Sequence, residues 1–548
     1  MRFLALVAIV GCNFSTKLST PGDGDSAVDA MPDAPPPSAL VKFTSITSTT
    51  TQLRPGLYGI ELSATLRNEL PNPITDLAVT LTFSDGTSNR AADFRWRDVD
   101  AREMVMTQQP QMIGSNQEAI YRFKIDALPW AVPPGPITIN GAATFLDGTT
   151  PLSASSSATP LALPFATFGS IVVNSVTDEL DLDTQICLRE ALVLAVAQGG
   201  LDRIVFDPTV FPPAAPVVTL LSDGLGEIGL SQDVVIDGRG AGVILAIDNS
   251  WENDNRYALE ISNGNVVISG LTFKNFGYSY ENEDLSTNNC GSNTMHDGGA
   301  LRINNGQLIL EGNTFEDPDV GERNCFAASI RLEGGTRHRI LNNTWTNQSM
   351  DAIYVDSSTL EISGNVMNAG NNTAKTDECI FIATQGGAPL WITNNICVDQ
   401  EYSAVIAGGT DAGALFVVNN TFVRNGLADL SAVRRSGNRA ITLRNNVYVG
   451  NNPAAIALDN NGTGFNVAYE SHTGSPLFTG SSSSATVANI ISPGNPALVD
   501  SNGATRAALT PLSASPLVGS GVDFLDVNGR TPNHYNGSGP ERGAVELP

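Results

Sequence analysis

The sequence Leu310-Glu311-Gly312-Asn313-Thr314-Phe315 is one copy of a short pattern that recurs at least seven times and decides the fold. Each copy has a strand-forming stretch, then a Gly or Asn pair at a corner, then a second strand-forming stretch. Most copies follow one another at intervals of about 22 to 30 residues, a period typical of stacked supersecondary units. The other copies lie at residues 268–273, 340–345, 362–367, 392–397, 417–422 and 442–448.

Another short strand-forming stretch lies upstream of the copies, for example at residues 300–303 and 352–355. Two or three strands in each repeat is the pattern of one coil of a β-helix, whose inward aliphatic side chains form a core that no single coil could bury alone. Asn suits the corner because it tolerates the left-handed backbone conformation and because stacked Asn amides can hydrogen-bond to one another. A leucine-rich repeat would need Leu at fixed steps, which this sequence lacks. The pattern therefore predicts an all-β solenoid.

Residues 168–547 resemble the right-handed parallel β-helix superfamily, which has the pectin-lyase-like fold. Residues 183–192 read Asp-Thr-Gln-Ile-Cys-Leu-Arg-Glu-Ala-Leu and resemble the Cys-Ser-Leu-Arg-Glu-Ala-Ile motif at the start of exported bacterial β-helices, departing from it at the Ser. Apolar residues recur in this stretch at helical spacing, so we expect a helix at about residues 184–198. Such a helix would cap the open end of the solenoid, where unpaired strands invite aggregation.

The C-terminal end of the chain carries a second resemblance. Three stretches resemble the terminal motif of the choice-of-anchor Q family, whose members share the β-helix architecture. They are Ser-Pro-Leu at residues 515–517, Asp-Val-Asn-Gly-Arg at residues 526–530 and Gly-Ala-Val-Glu at residues 543–546. The resemblance implies a C-terminal cap at about residues 505–547.

Residues 40–165 carry a different pattern, with short stretches of alternating apolar and polar residues such as 59–66 and 77–83. Turn-forming sequences separate these stretches at spacings that suit an antiparallel sandwich. We therefore expect an immunoglobulin-like β-sandwich before the solenoid. Trp96 and Trp130 are interpreted as packing residues of this domain rather than as a ligand-stacking surface.

The N-terminus has the order of a signal peptide, with Arg2, an apolar stretch at residues 3–10, and then Gly11 and Cys12. Residues 9–12 resemble a bacterial lipobox, which implies that residues 1–12 are a lipoprotein signal, that Cys12 is acylated and that a lipid anchors the protein without a spanning segment. The Asn that follows the cysteine implies the outer membrane of the cell envelope. Residues 13–38, rich in Pro, Asp and Ser, are expected to be a disordered tether.

The composition limits the partners that the protein can have. Lys and Arg total 30 against 56 Asp and Glu, a formal net charge of −26, and no basic cluster could follow a phosphate backbone. We therefore expect no nucleic acid partner. No cofactor is required and metal ligands are unknown, but acidic groups at residues 526–529 and at Asp248, Glu252 and Asp254 make calcium a hypothesis. We expect a monomer that contacts a polysaccharide or another cell-surface component.

Five cysteines remain beside Cys12, so at least one of them is unpaired within the monomer. Cys379 and Cys397 lie one predicted coil apart, and Cys290 and Cys325 lie in loops that flank another coil. An oxidising compartment permits a disulfide in both pairs. The alternative interpretation is that these cysteines are small buried apolar residues.

Polysaccharide lyases and glycosidases on this fold use carboxylates together with Arg or Lys on the outer face of one sheet. Stacked coils place equivalent positions about 4.8 Å apart, so such residues from adjacent coils can form a stripe. The candidate catalytic residues are Arg302, Asp351, Asp377 and Glu378, and the candidate binding residues are His296, Asp297, Arg331 and Lys375. The plainer interpretation is that they are solvated surface residues and corner hydrogen-bonding groups.

Two functional hypotheses follow from these residues. The first is a surface-anchored lipoprotein whose β-helix binds extended glycans or surface partners, without established catalysis. The second is a polysaccharide lyase or glycoside hydrolase that acts on a surface or extracellular polysaccharide with its carboxylates as acid and base. The motif sets of polygalacturonases and pectate lyases are absent, so the sequence leaves the enzymatic role open. A purely structural spacer is a third interpretation.

Overall fold

The computed structural model describes the chain from residue 37 to residue 545, with gaps. The described residues contain one α-helix, one 3-10 helix and forty β-strands, so this part of the chain is all-β in character. The described residues are 37–54, 57–84, 94–96, 112–127, 137–161, 170–180, 184–198, 202–221, 225–247, 257–276, 299–316, 328–348, 351–356, 358–370, 378–384, 387–408, 413–426, 431–435, 439–458, 465–480, 485–522 and 542–545.

The N-terminal domain has two antiparallel sheets, entered through the 3-10 helix Pro37–Leu40. Ile60 and Leu62 of one sheet and Ile137 and Ile139 of the other belong to the same buried core, which confirms the predicted β-sandwich. One sheet contains β1 (Val41–Arg54), β2 (Leu57–Asn68), β4 (Phe94–Trp96) and β5 (Glu118–Ala127), and the other contains β3 (Ile74–Ser84), β6 (Ile137–Asp147), β7 (Thr150–Ser155) and β8 (Thr159–Leu161).

From Ser170 onward the described strands form three long parallel sheets, and successive strands of a sheet come from successive coils. Sheet 1 has twelve strands: β9 (Ser170–Val173), β10 (Asp202–Phe206), β13 (Val234–Asp237), β16 (Asn265–Ser269), β19 (Gln307–Glu311), β22 (Thr336–Leu341), β25 (Ser358–Ser363), β28 (Leu390–Thr393), β31 (Leu415–Val418), β34 (Ile441–Arg444), β37 (Phe465–Ala468) and β40 (Ala485–Ala488). Sheet 2 has ten strands: β11 (Val217–Leu221), β14 (Val243–Ile247), β17 (Thr272–Lys274), β20 (Thr314–Glu316), β23 (Thr344–Thr346), β26 (Val366–Asn368), β29 (Ile396–Val398), β32 (Thr421–Val423), β35 (Val447–Val449) and β38 (Ser471–Thr473). Sheet 3 also has ten: β12 (Ile228–Leu230), β15 (Tyr257–Ile261), β18 (Gly299–Ile303), β21 (Ala328–Leu332), β24 (Asp351–Asp356), β27 (Ile380–Thr384), β30 (Val405–Ala407), β33 (Val433–Arg435), β36 (Ile456–Leu458) and β39 (Phe478–Gly480).

Each strand pairs in parallel with the equivalent strand of the next coil, which aligns inward side chains into columns. In sheet 3, for example, Ile353 pairs with Ile380. In sheet 2 the rings of Phe273, Phe315 and Trp345 stack with centroid separations of 5.0 and 4.6 Å. The columns share one continuous buried core, which confirms the predicted parallel β-helix.

The corner between sheets 1 and 2 contains a ladder of buried Asn side chains. The backbone N–H and the Nδ2 of Asn365 both donate to Oδ1 of Asn395, at 3.0 and 2.9 Å. Nδ2 of Asn365 also donates to the carbonyl of Ile340 at 2.9 Å, and its Oδ1 accepts from the backbone N–H of Asn343 at 2.9 Å, so the amide satisfies two backbone groups of the preceding coil. We call this series the Asn ladder, and its members are Asn313, Asn343, Asn365, Asn395, Asn420 and Asn446.

The two residues of each corner pair have separate roles. The first has a positive φ, as in Gly364 at 72° and Asn394 at 57°, a conformation that Gly and Asn adopt at low cost. The second is the ladder residue, fully buried and hydrogen-bonded to both neighbouring coils. This division explains why the first position is either Gly or Asn while the second is Asn in all six ladder coils.

Glu470 replaces Asn at the last step of the ladder. Its Oε1 accepts from the backbone N–H and the Nδ2 of Asn446 at 3.4 and 3.3 Å. Burial raises the pKa of Glu470 to about 8, and the facing groups are the Tyr448 hydroxyl and the guanidinium groups of Arg542 and Arg444. The carboxyl is therefore mostly protonated at neutral pH.

A helix and a C-terminal segment pack against the solenoid at different places. The helix α1, Leu188–Gln198, packs Leu188, Leu192 and other apolar residues into the core beside the first strands. The carboxylate of Glu190 accepts from the backbone N–H of Cys187 at 3.0 Å, which caps the N-terminus of the helix. Near the C-terminus, a segment lies on the outward face of sheet 2, where it contacts Ile396, Val398, Val423 and Val447 through Leu498, Leu509, Leu517 and Ala544.

The Asn ladder should contribute strongly to stability. Asn395→Ala should lower the free energy of unfolding by about 2–4 kcal/mol, because each orphaned buried polar group costs roughly 1–3 kcal/mol. Asn305→Ala is the matched control, since this Asn is exposed at another corner, and it should cost under about 0.5 kcal/mol. Urea unfolding of both variants measures the difference, and equal effects would contradict the role of the ladder.

Glu470 should make the stability depend on pH. Between its ordinary pKa of 4.5 and about 8, the folded protein retains a proton that the unfolded chain has lost, so stability should fall as pH rises through this window. Glu470→Gln keeps the acceptor without titrating and should reduce the fall, by at most about 1.4 kcal/mol per pH unit. Urea unfolding at several pH values measures this contribution, and parallel profiles for variant and wild type would contradict it.

Candidate functional site

Sheet 3 presents a row of outward side chains that stand in register on successive coils. The inward neighbours of Arg302, Leu301 and Ile303, are buried in the core, so alternation along the strand directs Arg302 outward. Seven coils at about 4.8 Å make a row about 29 Å long. We call it the sheet 3 row, and its members are Glu260, Arg302, Arg331, Tyr354, Phe381, Ile406 and Arg434.

Glu333 joins the two arginines of the row. Its Oε2 accepts from Nε and Nη2 of Arg302 at 2.7 and 2.6 Å, and its Oε1 accepts from Nε of Arg331 at 2.7 Å. Burial alone would lower the pKa of Arg302, but Glu333 and Glu260 outweigh it and raise that pKa above its ordinary value. Both arginines are thus held as cations in fixed orientations.

The middle of the row is a stack of planar groups. The guanidinium carbon of Arg331 lies 4.6 Å from the ring centroid of Tyr354, and the rings of Tyr354 and Phe381 lie 5.4 Å apart at 9° to each other. One face of the Tyr354 ring is therefore covered by Arg331 and the other by Phe381. A ligand on this surface would meet the ring edges, the Tyr354 hydroxyl and the charged groups rather than open ring faces.

The first coils of the row carry more carboxylates. Asn304 donates to the Glu260 carboxylate from the neighbouring coil. Glu227 accepts from the backbone N–H of Tyr257 at 2.9 Å, and burial, followed by the nearby Glu260, raises the pKa of Glu227. The row therefore changes from acidic at Glu260, through the Arg302 and Arg331 pair, to aromatic and apolar at Phe381.

Asp351 and Glu378 form a buried acid pair beside the row. They occupy equivalent places on adjacent coils, and only 6% and 9% of their surfaces are exposed. The backbone N–H of Glu378 donates to Oδ1 of Asp351 at 2.9 Å, and the two carboxyl groups also share a hydrogen bond. Burial and the Glu378 carboxyl raise the pKa of Asp351 well above its ordinary value, while the charge of Arg331 opposes this shift. Burial and the neighbouring carboxyl therefore favour the protonated form of Asp351.

The structure brings together four of the residues that the sequence singled out: Arg302, Arg331, Asp351 and Glu378. Cys379 and Cys397 are both buried, and they are not bonded to each other in this structure. The other candidates lie outside the described residues: Cys12, Cys290, Cys325, His296, Asp297, Lys375, Asp377 and both acidic groups considered for calcium. Among the residues that the structure does describe, no group of three or more His, Cys, Asp or Glu side chains could hold a metal ion.

Sequence reasoning missed Glu333, Tyr354 and Phe381. Alternation within Asp351–Asp356 and Ile380–Thr384 directs Tyr354 and Phe381 outward, so a search for outward aromatics would have found them. Glu333 follows β21 directly and gave no comparable signal, because its role depends on the register between the two coils that carry Arg302 and Arg331.

The geometry of the acid pair bears on catalysis. Retaining glycosidases separate their two carboxyls by about 5–5.5 Å, and inverting enzymes separate them by about 6.5–9.5 Å. Carboxyls that hydrogen-bond to each other are closer than either spacing and leave no room for a glycosidic bond between them. Arg302 and Arg331, as permanent cations paired with Glu333, cannot act as a base. This arrangement suits ligand binding better than hydrolysis.

Comparison with known proteins found no matching family, no matching curated protein and no matching solved structure. Among the described residues, no helix is both long and apolar enough to cross a membrane.

Glu333 should be more important to stability than an ordinary surface carboxylate. Glu333→Gln should lower the free energy of unfolding by about 1–3 kcal/mol, because the largely buried Arg331 loses a charged partner. Glu316→Gln is the matched control, since Glu316 meets Lys274 at 3.6 Å on an exposed surface, and it should cost under about 1 kcal/mol. Urea unfolding compares the two variants, and an equal or larger loss for Glu316→Gln would refute the assignment.

Proposed function

We propose that this protein is a surface-anchored bacterial lipoprotein whose β-helix binds an extended glycan, or another extended surface partner, along the sheet 3 row. The observation that carries the proposal is the row itself, which aligns charged, hydroxyl and aromatic groups over about 29 Å. Glu333 and the ring stack hold these groups in place before any ligand arrives, which reduces the ordering cost of binding.

The surface location is supported by sequence features. The apolar stretch before Cys12, the Pro-rich and Asp-rich stretch after it, and the resemblances to exported β-helices and to the choice-of-anchor Q terminus all favour export and a lipid anchor. Within the exported β-helix motif, Arg189 forms two 2.8 Å hydrogen bonds to the Asp178 carboxylate and also donates to the carbonyl of Gly226. A structural role for the Arg of this motif fits its position at the start of the solenoid.

A polysaccharide lyase or glycoside hydrolase is the second candidate function. The observation in its favour is the acid pair, because a carboxyl whose pKa is raised keeps its proton to higher pH and is better suited to act as a general acid. The positively charged guanidinium of Arg331, beside the pair, would attract the carboxylate of a uronate substrate. Against this function stand the burial of Asp351 and Glu378 and the hydrogen bond between their carboxyls.

The binding proposal predicts affinity for at least one member of a panel of neutral, uronate-containing and amino-sugar polysaccharides. The double variant Arg302→Ala/Tyr354→Ala should weaken that binding at least about tenfold, since Arg and Tyr are frequent binding hot spots. The matched control is Lys274→Ala/Thr346→Ala, which alters outward residues of sheet 2. Immobilised glycans identify the ligand and calorimetry measures the affinity.

Two outcomes would contradict the binding proposal. One is the absence of binding across the panel, and the other is binding that both double variants weaken equally. The enzyme alternative predicts new reducing ends or the absorbance of unsaturated uronates, lost in Asp351→Asn. Turnover retained in Asp351→Asn would exclude the acid pair as its source.

The anchor proposal predicts that the protein expressed in a bacterium with a lipoprotein pathway partitions into detergent and incorporates a labelled fatty acid. Cys12→Ser should abolish the labelling and leave the protein in the aqueous phase, because the acyl chains supply the membrane affinity. Cys187→Ser is the control, since this cysteine is buried beside α1. Labelling that persists in Cys12→Ser would show that Cys12 is not the anchor.

A further inference from the structure

Two columns of inward side chains meet inside the corner that leads from sheet 2 to sheet 3. One column belongs to sheet 2 and holds large residues: Leu245, Phe273, Phe315, Trp345, Met367, Phe422 and Tyr448. The other lies at the start of the sheet 3 strands and holds small residues: Ala258, Ala300, Ser329, Ala352, Ala404, Ala432 and Ala455. The pattern fills the corner with one large and one small side chain from each coil.

Two cysteines break this pattern at neighbouring places. Cys397 stands in the large column between Met367 and Phe422, where it is the smaller side chain. Cys379 stands in the small column between Ala352 and Ala404, where it is the larger one. Each exception alone would disturb the packing, leaving a void at Cys397 or crowding the place of an Ala at Cys379.

The two exceptions compensate each other because both cysteines adjoin Met367. Both side chains are fully buried in the solenoid core, and Cys397 is the register partner of Met367 on the next coil. The sulfur of Cys379 also lies 3.9 Å from the carbonyl oxygen of Met367, which places it toward sheet 2. The pair therefore links sheet 2 of one coil to sheet 3 of the preceding coil.

We propose that Cys379 and Cys397 are joined by a disulfide that crosses the interior of the β-helix between sheets 2 and 3. The two thiols lose two protons and two electrons as one S–S bond forms. A dithiol–disulfide oxidoreductase, or glutathione disulfide in vitro, accepts them, and its own disulfide becomes two thiols. Oxidation in the cell rests on the export proposed above, but the bond itself can be tested in vitro.

Burial determines when the bond forms. A thiolate is the attacking species in disulfide exchange, and burial raises the pKa of the Cys379 thiol well above its ordinary value. Neither sulfur is reached from outside once the coils have closed. Oxidation therefore precedes closure of these coils, and the finished bond is shielded from reductants, so it is a permanent cross-link rather than a switch.

The test is to unfold and reduce the protein, refold it with either glutathione disulfide or dithiothreitol, and map the cysteines by mass spectrometry after alkylation in denaturant. The proposal predicts that the oxidised sample contains the peptides of Cys379 and Cys397 linked, with a mass lower by two hydrogens. Cys187 should be alkylated in both samples, because its sulfur contacts the backbone carbonyl of Glu179 and the backbone N–H of Glu190 rather than another cysteine. The oxidised sample should also have a Tm several degrees higher.

Variants separate this bond from other redox effects. Cys379→Ala/Cys397→Met restores the small and large residues of the neighbouring coils, and its Tm should not depend on the refolding oxidant. Cys187→Ser should keep the dependence of the wild type. Alkylation of both Cys379 and Cys397 in the oxidised wild type, or linkage of either to another cysteine, would overturn the proposal. Neither the cysteine mapping nor the Tm measurement involves glycan binding. Both tests therefore remain valid if the protein is found to bind no glycan.

Discussion

The fold depends on satisfying the backbone where each coil turns from sheet 1 to sheet 2. A solenoid must turn at every coil, and each turn brings N–H and carbonyl groups into the interior, where an unpaired group is costly. The Asn ladder solves this in six successive coils, because each amide accepts from a backbone N–H and donates to a backbone carbonyl of the preceding coil, and also donates to the side chain of the next coil. Once the corners are fixed, the strands are aligned and the inward columns follow.

Much of the fold could be predicted from the sequence because the corner residues are chemically unusual. Asn-Asn pairs such as those at Asn394 and Asn419 mark the turns directly. In an Asn-Asn pair the separate roles of the two residues could not be predicted, because Asn suits both roles in isolation. The termination of the ladder at Glu470 also gave no sequence signal, since only the register between coils shows that this carboxyl takes the place of an Asn acceptor.

The candidate site was only partly predictable for a related reason. Arg302, Arg331, Asp351 and Glu378 were recognised by residue type, but their contacts depend on which residues of successive coils stand in register. The number of residues between a sheet 2 strand and the following sheet 3 strand differs from coil to coil, so equal spacing along the sequence does not identify neighbours in space. Glu333 illustrates this, because it bridges side chains from two coils and only the register reveals it.

The most direct test of the account is hydrogen–deuterium exchange at the ladder amides of Asn365, Asn395 and Asn420. If each N–H is held by the Asn oxygen of the next coil, exchange requires the coils to separate. The account predicts that these amides are among the slowest in the protein and that their rates follow global unfolding as urea is added. Exchange as fast as that of exposed turn amides would contradict it.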